Sequence, residues 1–256
     1  MRRIRVIPVL LIQNGGLVKS IQFKKHQYVG DPINAVKIFN EKEVDEIVIL
    51  DISATQTKRV PNIQQIAEIT GEAFMPLAYG GGITRLEEIK EILYEGAEKV
   101  VLNTSALDNP QLISRAAQRF GNQSIVVSID VHKNWLGQYK VYRNNGTKNA
   151  GINPVELAKL VAELGAGEIM LTSIDRDGTF GGYDLDLLKQ VTQAVDIPVI
   201  ACGGAAEVQD FQQAVSIGGA SAVAAGSMFV YQRPHRAVLI SYPSQQELNE
   251  KLFSQL

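Results

Sequence analysis

One cysteine, one tryptophan and three histidines in 256 residues leave several chemistries without material. Cys202 alone cannot close an internal disulfide, so a reducing, cytoplasmic setting is expected. His26, His132 and His235 are scattered without metal-ligand spacing, and neither a metal nor another cofactor is expected. Excess charge is missing too: 25 Lys and Arg stand against 27 Asp and Glu, strewn along the chain rather than gathered in a stripe. That balance argues against nucleic acid as a partner. No apolar run approaches the ~18 residues of a membrane span. The opening MRRIRVIPVLLI imitates a signal peptide, but it lacks a small-residue cleavage site and reads as a strand. A small molecule is the expected ligand.

What the chain does contain is alternation. Short runs rich in Val, Ile and Leu are expected as strands near 5–12, 46–51, 75–79, 99–103, 124–130, 168–172, 197–202 and 222–226. Between them, amphipathic segments predict helices near 31–43, 61–72, 85–95, 109–120, 153–164, 184–194, 207–217 and 244–255. Asp31-Pro32, Asn109-Pro110 and Asn153-Pro154 each place a capping side chain before a first-turn proline. Eight such units in 256 residues, 45% hydrophobic, predict an α/β fold: one eight-stranded (β/α)8 barrel spanning residues 1–256. Two long loops, 13–30 and 132–152, follow the first and fifth strands, where such barrels build their sites. The second alternates like a small hairpin around Gln138 to Arg143, and is equally readable as a flap clear of any ligand.

The barrel is written twice. MPLAYGGGI at 75–83 returns as IPVIACGGA at 197–205, and LNTS at 102–105 as AGSM at 225–228. Glycines between a strand end and a helix start let backbone N–H groups converge on an anion, aided by the helix dipole. An isolated glycine run would be only a turn, but here each is followed one unit later by a small pair, Asn103 and Thr104, then Gly226 and Ser227. Two phosphates, or phosphate-like ends, are the expected ligand feature.

Four carboxylates, Asp51, Asp130, Asp175 and Asp177, stand at or just beyond strand ends, where a barrel keeps its acids and bases. Asp130 is the first choice. Aligning IPVLLI at 7–12 with VVSIDV at 126–131 sets Leu11 opposite Asp130, so the carboxylate pair that duplication would give is broken. Asp51 or Asp177 is the alternative second acid. Lys19 suits a phosphate clamp or a solvated loop. At the other end, Arg5, Glu46, Lys99 and Glu168 begin strands with alternating signs, either as solvated termini or as a salt-bridged plug.

These motifs resemble the cyclase subunit of imidazole glycerol phosphate synthase, the HisF-type barrels, through GDP at 30–32, LDI at 50–52, YGGGI at 79–83, LNTSA at 102–106, SID at 128–130 and LTSIDRDGT at 171–179. The resemblance implies a barrel that receives ammonia from a glutaminase at its floor and uses it above to cleave and cyclise a bisphosphorylated ribulosyl aminoimidazole. It implies two opposed catalytic aspartates, of which Asp130 matches one and Leu11 replaces the other. By resemblance, Lys19, Asp51, Gly82, Asn103, Thr104, Asp177, Gly203, Gly204, Gly226 and Ser227 hold ligand and phosphates, and Arg5, Glu46, Lys99 and Glu168 form the ammonia gate. Cys202 stands where the family commonly has serine. The front IPVLLIQNGGLVKS and the tail SMFVYQRPHRAVLISYP look like the paralogue associated with glycosyl amidation. That likeness implies ammonia delivery to a sugar amidotransferase in acetamidino-sugar and surface polysaccharide synthesis. An active cyclase, a lyase of histidine biosynthesis, is the alternative, and a partner-free phosphosugar isomerase a third reading.

Overall fold

Val, Ile and Leu runs with few polar interruptions form strands that can be buried on both faces, and these close into a ring. The computed structural model describes residues 4–232 and 234–256; Met1 to Arg3 and Arg233, parts of the N-terminal run and the tail, lie outside the described residues. The eight barrel strands are β1 (Arg5–Gln13), β2 (Ile47–Asp51), β3 (Leu77–Gly80), β4 (Lys99–Leu102), β5 (Ile125–Lys133), β6 (Glu168–Ser173), β7 (Val199–Cys202) and β8 (Ala222–Ala225). Each pairs in parallel with the next, and β8 returns to β1 with Arg5 opposite Ala222. The expected architecture is the observed one.

Among the described residues eight helices of seven residues or more wrap the ring: α1 (Pro32–Glu41), α2 (Ile63–Thr70), α3 (Leu86–Tyr94), α4 (Gln111–Phe120), α5 (Pro154–Glu163), α6 (Leu185–Thr192), α7 (Val208–Ser216) and α8 (Gln245–Lys251). Asp31 caps α1 by accepting from Asn34 N at 2.9 Å, and Asn153 caps α5 by accepting from Val155 N at 2.8 Å. Asn109 does not cap α4. A short helix, Thr104–Asp108, precedes it, and the Asn109 N–H closes that helix on Ser105 O, leaving Pro110 as the uncapped entry.

Side chains on each strand alternate between two cores. Val6, Leu10 and Ile12 of β1 face outward to the helices, in the cluster that includes Phe39, Phe211 and Phe229; Ile7 and Val9 face inward to Val48, Val126, Met170 and Ile200. Truncating one of those phenylalanines to Ala would cost about 3–5 kcal/mol.

Three additions depart from the simple alternation. Residues 13–30 form an antiparallel pair, Gly16–Ile21 with Lys24–Gly30, not an open loop. Tyr139–Arg143 pairs with β5 and with Lys148–Asn149, extending the expected hairpin. Beyond β8 lie a one-turn helix, Ser227–Val230, and a small hairpin, Tyr231–Gln232 with Ala237–Val238. Among the described residues no helix is long and apolar enough to cross a membrane.

Candidate functional site

The duplication is visible in backbone geometry. Gly81 and Gly203 have φ of 121° and 88°, and Gly82 and Gly204 have φ of 72° and 113°, all in the region that favours glycine. A Cβ at Gly81 would meet Asp51 O at 2.4 Å; at the equivalent Gly203 it would meet Ser173 O at 2.7 Å. Each glycine turn therefore packs directly on the end of the preceding strand in the ring, β2 in one half and β6 in the other. Asn103 and Gly226 then occupy matching places, each at the N-terminal boundary of a one-turn helix, Thr104–Asp108 and Ser227–Val230. The first N–H groups of such turns have no partner within the helix.

Between these turns lies a cavity lined by Leu11, Lys19, Asp51, Asn103, Thr104, Asp130, Asp177, Cys202, Gly82 and Gly226, among others. Gly203, Gly204 and Ser227 are not on its wall, although they border it in sequence and share the turn geometry. Leu11 and Asp130 are inward positions toward the C-terminal ends of β1 and β5, strands on opposite sides of the ring, and both face the cavity. The aligned pair is thus a real juxtaposition, with leucine where the second carboxylate would stand.

Asp130 is buried and accepts from Asn103 Nδ2 at 3.1 Å and Ser128 Oγ at 3.1 Å. Burial, reinforced by the charge of Asp177, lifts its pKa to about 7 against the bonds from Ser128, Thr172 and Asn103. Both protonation states are therefore accessible near neutrality. Lys19 is equally buried; its Nζ donates to Val9 O at 2.6 Å, and burial lowers its pKa to about 8, opposed by Asp177. A solvated-loop role for Lys19 is excluded by that burial. A Cβ at Gly226 would collide with Lys19 Nζ at 2.0 Å, so glycine there is what lets the lysine cross to the strand. Asp177 accepts from Ser20 Oγ at 3.2 Å, and burial raises its pKa while Lys19 opposes the rise. Burial pushes the Cys202 thiol up to about 12, which keeps it neutral.

The other two carboxylates are tied to neighbouring loops, Asp51 while still lining the cavity. One oxygen of Asp51 accepts from Ser53 N at 2.9 Å, Ser53 Oγ at 2.7 Å and Ala54 N at 3.1 Å, which fixes the loop after β2. Asp175 does not line the cavity: it meets His132 Nδ1 at 2.5 Å and accepts from Lys133 N at 2.8 Å, at the rim.

Both long loops were expected to cover the site, and they do; that the first is an ordered hairpin was not foreseen. The hairpin of residues 16–30 folds over the mouth, with Gln22 N donating to Asp177 O at 2.9 Å and Phe23 lining the cavity. Asn145 of the 132–152 segment lines it as well, and Asn144 N donates to Thr104 Oγ1 at 3.0 Å, so that segment is no detached flap. The one legible signal was the absence of any helix pattern in 13–30.

At the floor the four charged strand starts meet. Arg5 bonds both Glu46 and Glu168, and Lys99 Nζ lies 3.0 Å from each of the same two residues. Side-chain exposures of 28%, 3%, 12% and 15% for Arg5, Glu46, Glu168 and Lys99 decide between the two readings: this is a plug, not a set of solvated termini. Flanking acids raise the Arg5 pKa despite its burial.

Comparison with known proteins gives a consistent picture. The family described as "Histidine biosynthesis protein" matches residues 5–235. A Pseudomonas aeruginosa protein provisionally named imidazole glycerol phosphate synthase subunit hisF2 is 51% identical over 249 residues, 97% of this chain and 99% of that one. A Leptospira interrogans protein with the provisional name subunit HisF is 48% identical over 250 residues, 97% and 98% of the two chains. The imidazole glycerol phosphate synthase subunit HisF of Alkaliphilus metalliredigens is 44% identical over 227 residues, 89% and 90%.

Proposed function

Since the chain belongs to the histidine biosynthesis protein family, we propose that it is the barrel subunit of a glutamine-dependent assembly, passing ammonia from a glutaminase at its floor to its mouth, with little or no cyclase activity of its own. The acceptor in this reading is a sugar amidotransferase of acetamidino-sugar synthesis. Leu11 carries the proposal. It fills the cavity position opposite Asp130, and an alkyl side chain can neither give nor take a proton, so the opposed acid–base pair cannot form. Of the two alternatives, Asp51 spends one oxygen on its loop and Asp177 is held by Ser20 of the hairpin beside β1, and the reading takes neither as the missing acid.

Several features support the rest of the reading. The plug of Arg5, Glu46, Lys99 and Glu168 serves as the ammonia gate, and Phe74 and Tyr94, 86% and 83% exposed at the floor, serve the glutaminase contact. Between plug and cavity the interior is apolar, which favours neutral ammonia over ammonium. Lys19, Asp177, Asn103 and Thr104, with Gly82, Gly203, Gly204, Gly226 and Ser227, hold a phosphorylated ligand at the mouth, while Asp51 shapes the wall.

A second reading, an active cyclase, is favoured by the names of the relatives, which include unqualified HisF subunits at 43–46% identity. It is favoured also by Asp130, whose pKa of about 7 suits proton transfer, in a cavity that Lys19 lines as well. One assay separates the two: the purified protein with the ribulosyl aminoimidazole substrate and saturating ammonium. Absence of turnover, with Leu11→Asp gaining some, is the expected outcome. Clear turnover by the unmodified chain would end the delivery reading.

A further inference from the structure

Cations strewn along the sequence are brought together by the fold. The described parts of the segments following β1, β2, β5 and β8, residues 13–30, 52–62, 132–152, 231–232 and 234–243, contain three, two, four and, in the last segment, one Lys or Arg and no Asp or Glu. All four leave the C-terminal ends of strands and so begin at the mouth face, the tail staying there as far as Arg236 on Gly178 before it descends to Tyr242 on Val6. Of eleven exposed large apolar side chains among the described residues, six lie in these same segments: Tyr28, Val60, Trp135, Leu136, Val238 and Leu239.

Three of the segments are knit into one band through the β6 loop. Gln22 Nε2 donates to Asp175 O at 2.8 Å, and a Cβ at Gly146 would meet the Phe23 ring at 2.8 Å, which ties the first segment to the β5 hairpin and the β6 loop. Arg236 donates to Gly178 O at 2.9 Å and lies over the Phe180 ring, which ties in the tail. Trp135 is 91% exposed at a turn fixed by Asn134 Oδ1, which accepts from Leu136 N at 3.0 Å and Gln138 N at 2.8 Å. An indole held out on an ordered turn, touching neither core nor cavity, keeps its apolar area in water, a cost that burial against a partner would recover.

A small ligand in the cavity accounts for Lys19 but not for this band, because Lys24, Lys25, Lys58, Lys133 and Lys148 do not line the cavity. Apolar anchors within a rim of net positive charge, whose acids Asp175 and Asp108 already face His132 and Arg143, are the composition of a protein interface, and aliphatic Val60, Leu136, Val238 and Leu239 have no role on a nucleic-acid track. We propose that the band is the docking surface for a second protein whose complementary face is acidic around an apolar centre, seated over the mouth. The identity of that protein as the ammonia acceptor rests on the delivery reading; the docking surface does not.

The test uses the full chain in its native cell, with a photocrosslinking amino acid at Trp135 and, separately, at Phe74 on the floor. We expect Trp135 to crosslink one protein, identified by mass spectrometry, that Phe74 does not reach. The purified partner should then bind about tenfold or more weakly to Trp135→Ala and to Lys24→Glu with Lys25→Glu, and more weakly as salt rises, with the melting temperature of each variant unchanged. Nucleic acid in the crosslink, no crosslink, or a partner whose affinity ignores both variants would overturn the proposal. Cyclase turnover would remove the delivery reading and leave the crosslinking result as it stands, so the two failures are distinguishable.

Discussion

Asp130 shows what burial does to an acid with no cation in contact. Its neighbours give it hydrogen bonds but no cation in contact, and burial holds its pKa near 7, above the usual carboxylate range. In the unfolded chain it ionises near pH 4. The folded state therefore binds more protons than the unfolded one between about pH 4 and 7, and stability falls as pH rises through that window. Asp130→Asn should remove this slope: more stable than the parent at pH 8 by an amount on the order of a few kcal/mol, with the gap closing below pH 4. Urea unfolding at pH 4 and pH 8 measures it, and a gap independent of pH would refute the assignment. The identity of this residue was legible in sequence, because a carboxylate at a strand end has few structural uses. Asp51 and Asp175 satisfy the same pattern, yet one oxygen of Asp51 fastens its loop while the residue lines the cavity, and Asp175 lies at the rim against His132. Position along a strand does not reveal which way a terminal side chain turns.

Among elements, the hairpin of residues 16–30 is held less by its own turn than by what receives it. Gln22 and Phe23 both have positive φ, 53° and 60°, an unfavourable choice for two non-glycine residues that the surrounding contacts must sustain. Gly178 makes the seat, with φ of 70° and room for no Cβ, since one would lie 2.3 Å from Ser20 O. Gly178→Ala should displace the hairpin while the barrel persists. The expected readout is faster tryptic cleavage at Lys24 and Lys25 with an unchanged far-UV circular dichroism spectrum. Equal cleavage rates would show that the seat is dispensable. The barrel strands and helices were legible from apolar periodicity, and the hairpin was not, because its seating depends on contacts with Asp175 and Asp177, far along the chain. Asn109 failed as a cap for a related reason: the preceding one-turn helix claimed it first.

At the scale of the molecule, the floor ring is balanced at two positive and two negative charges, and its strength lies in that balance. Lys99→Met would leave Glu46 and Glu168 sharing Arg5 alone, one uncompensated buried charge, at a cost of about 3 kcal/mol or more. Adding Glu168→Gln should return much of it. Urea midpoints of the two variants test the coupling, and additive losses would dissolve the ring as a unit. The alternation of signs was readable in sequence; inward orientation was not, since strand starts are as often solvated. Above the ring, Ile7, Val9, Val126 and Met170 pack into a section with no polar side chain among them. On the delivery reading the barrel would treat solutes as a thin film of hydrocarbon does, ranking them by partition coefficient, and the pH of the medium, through the neutral fraction of a weak base, would set how much crosses.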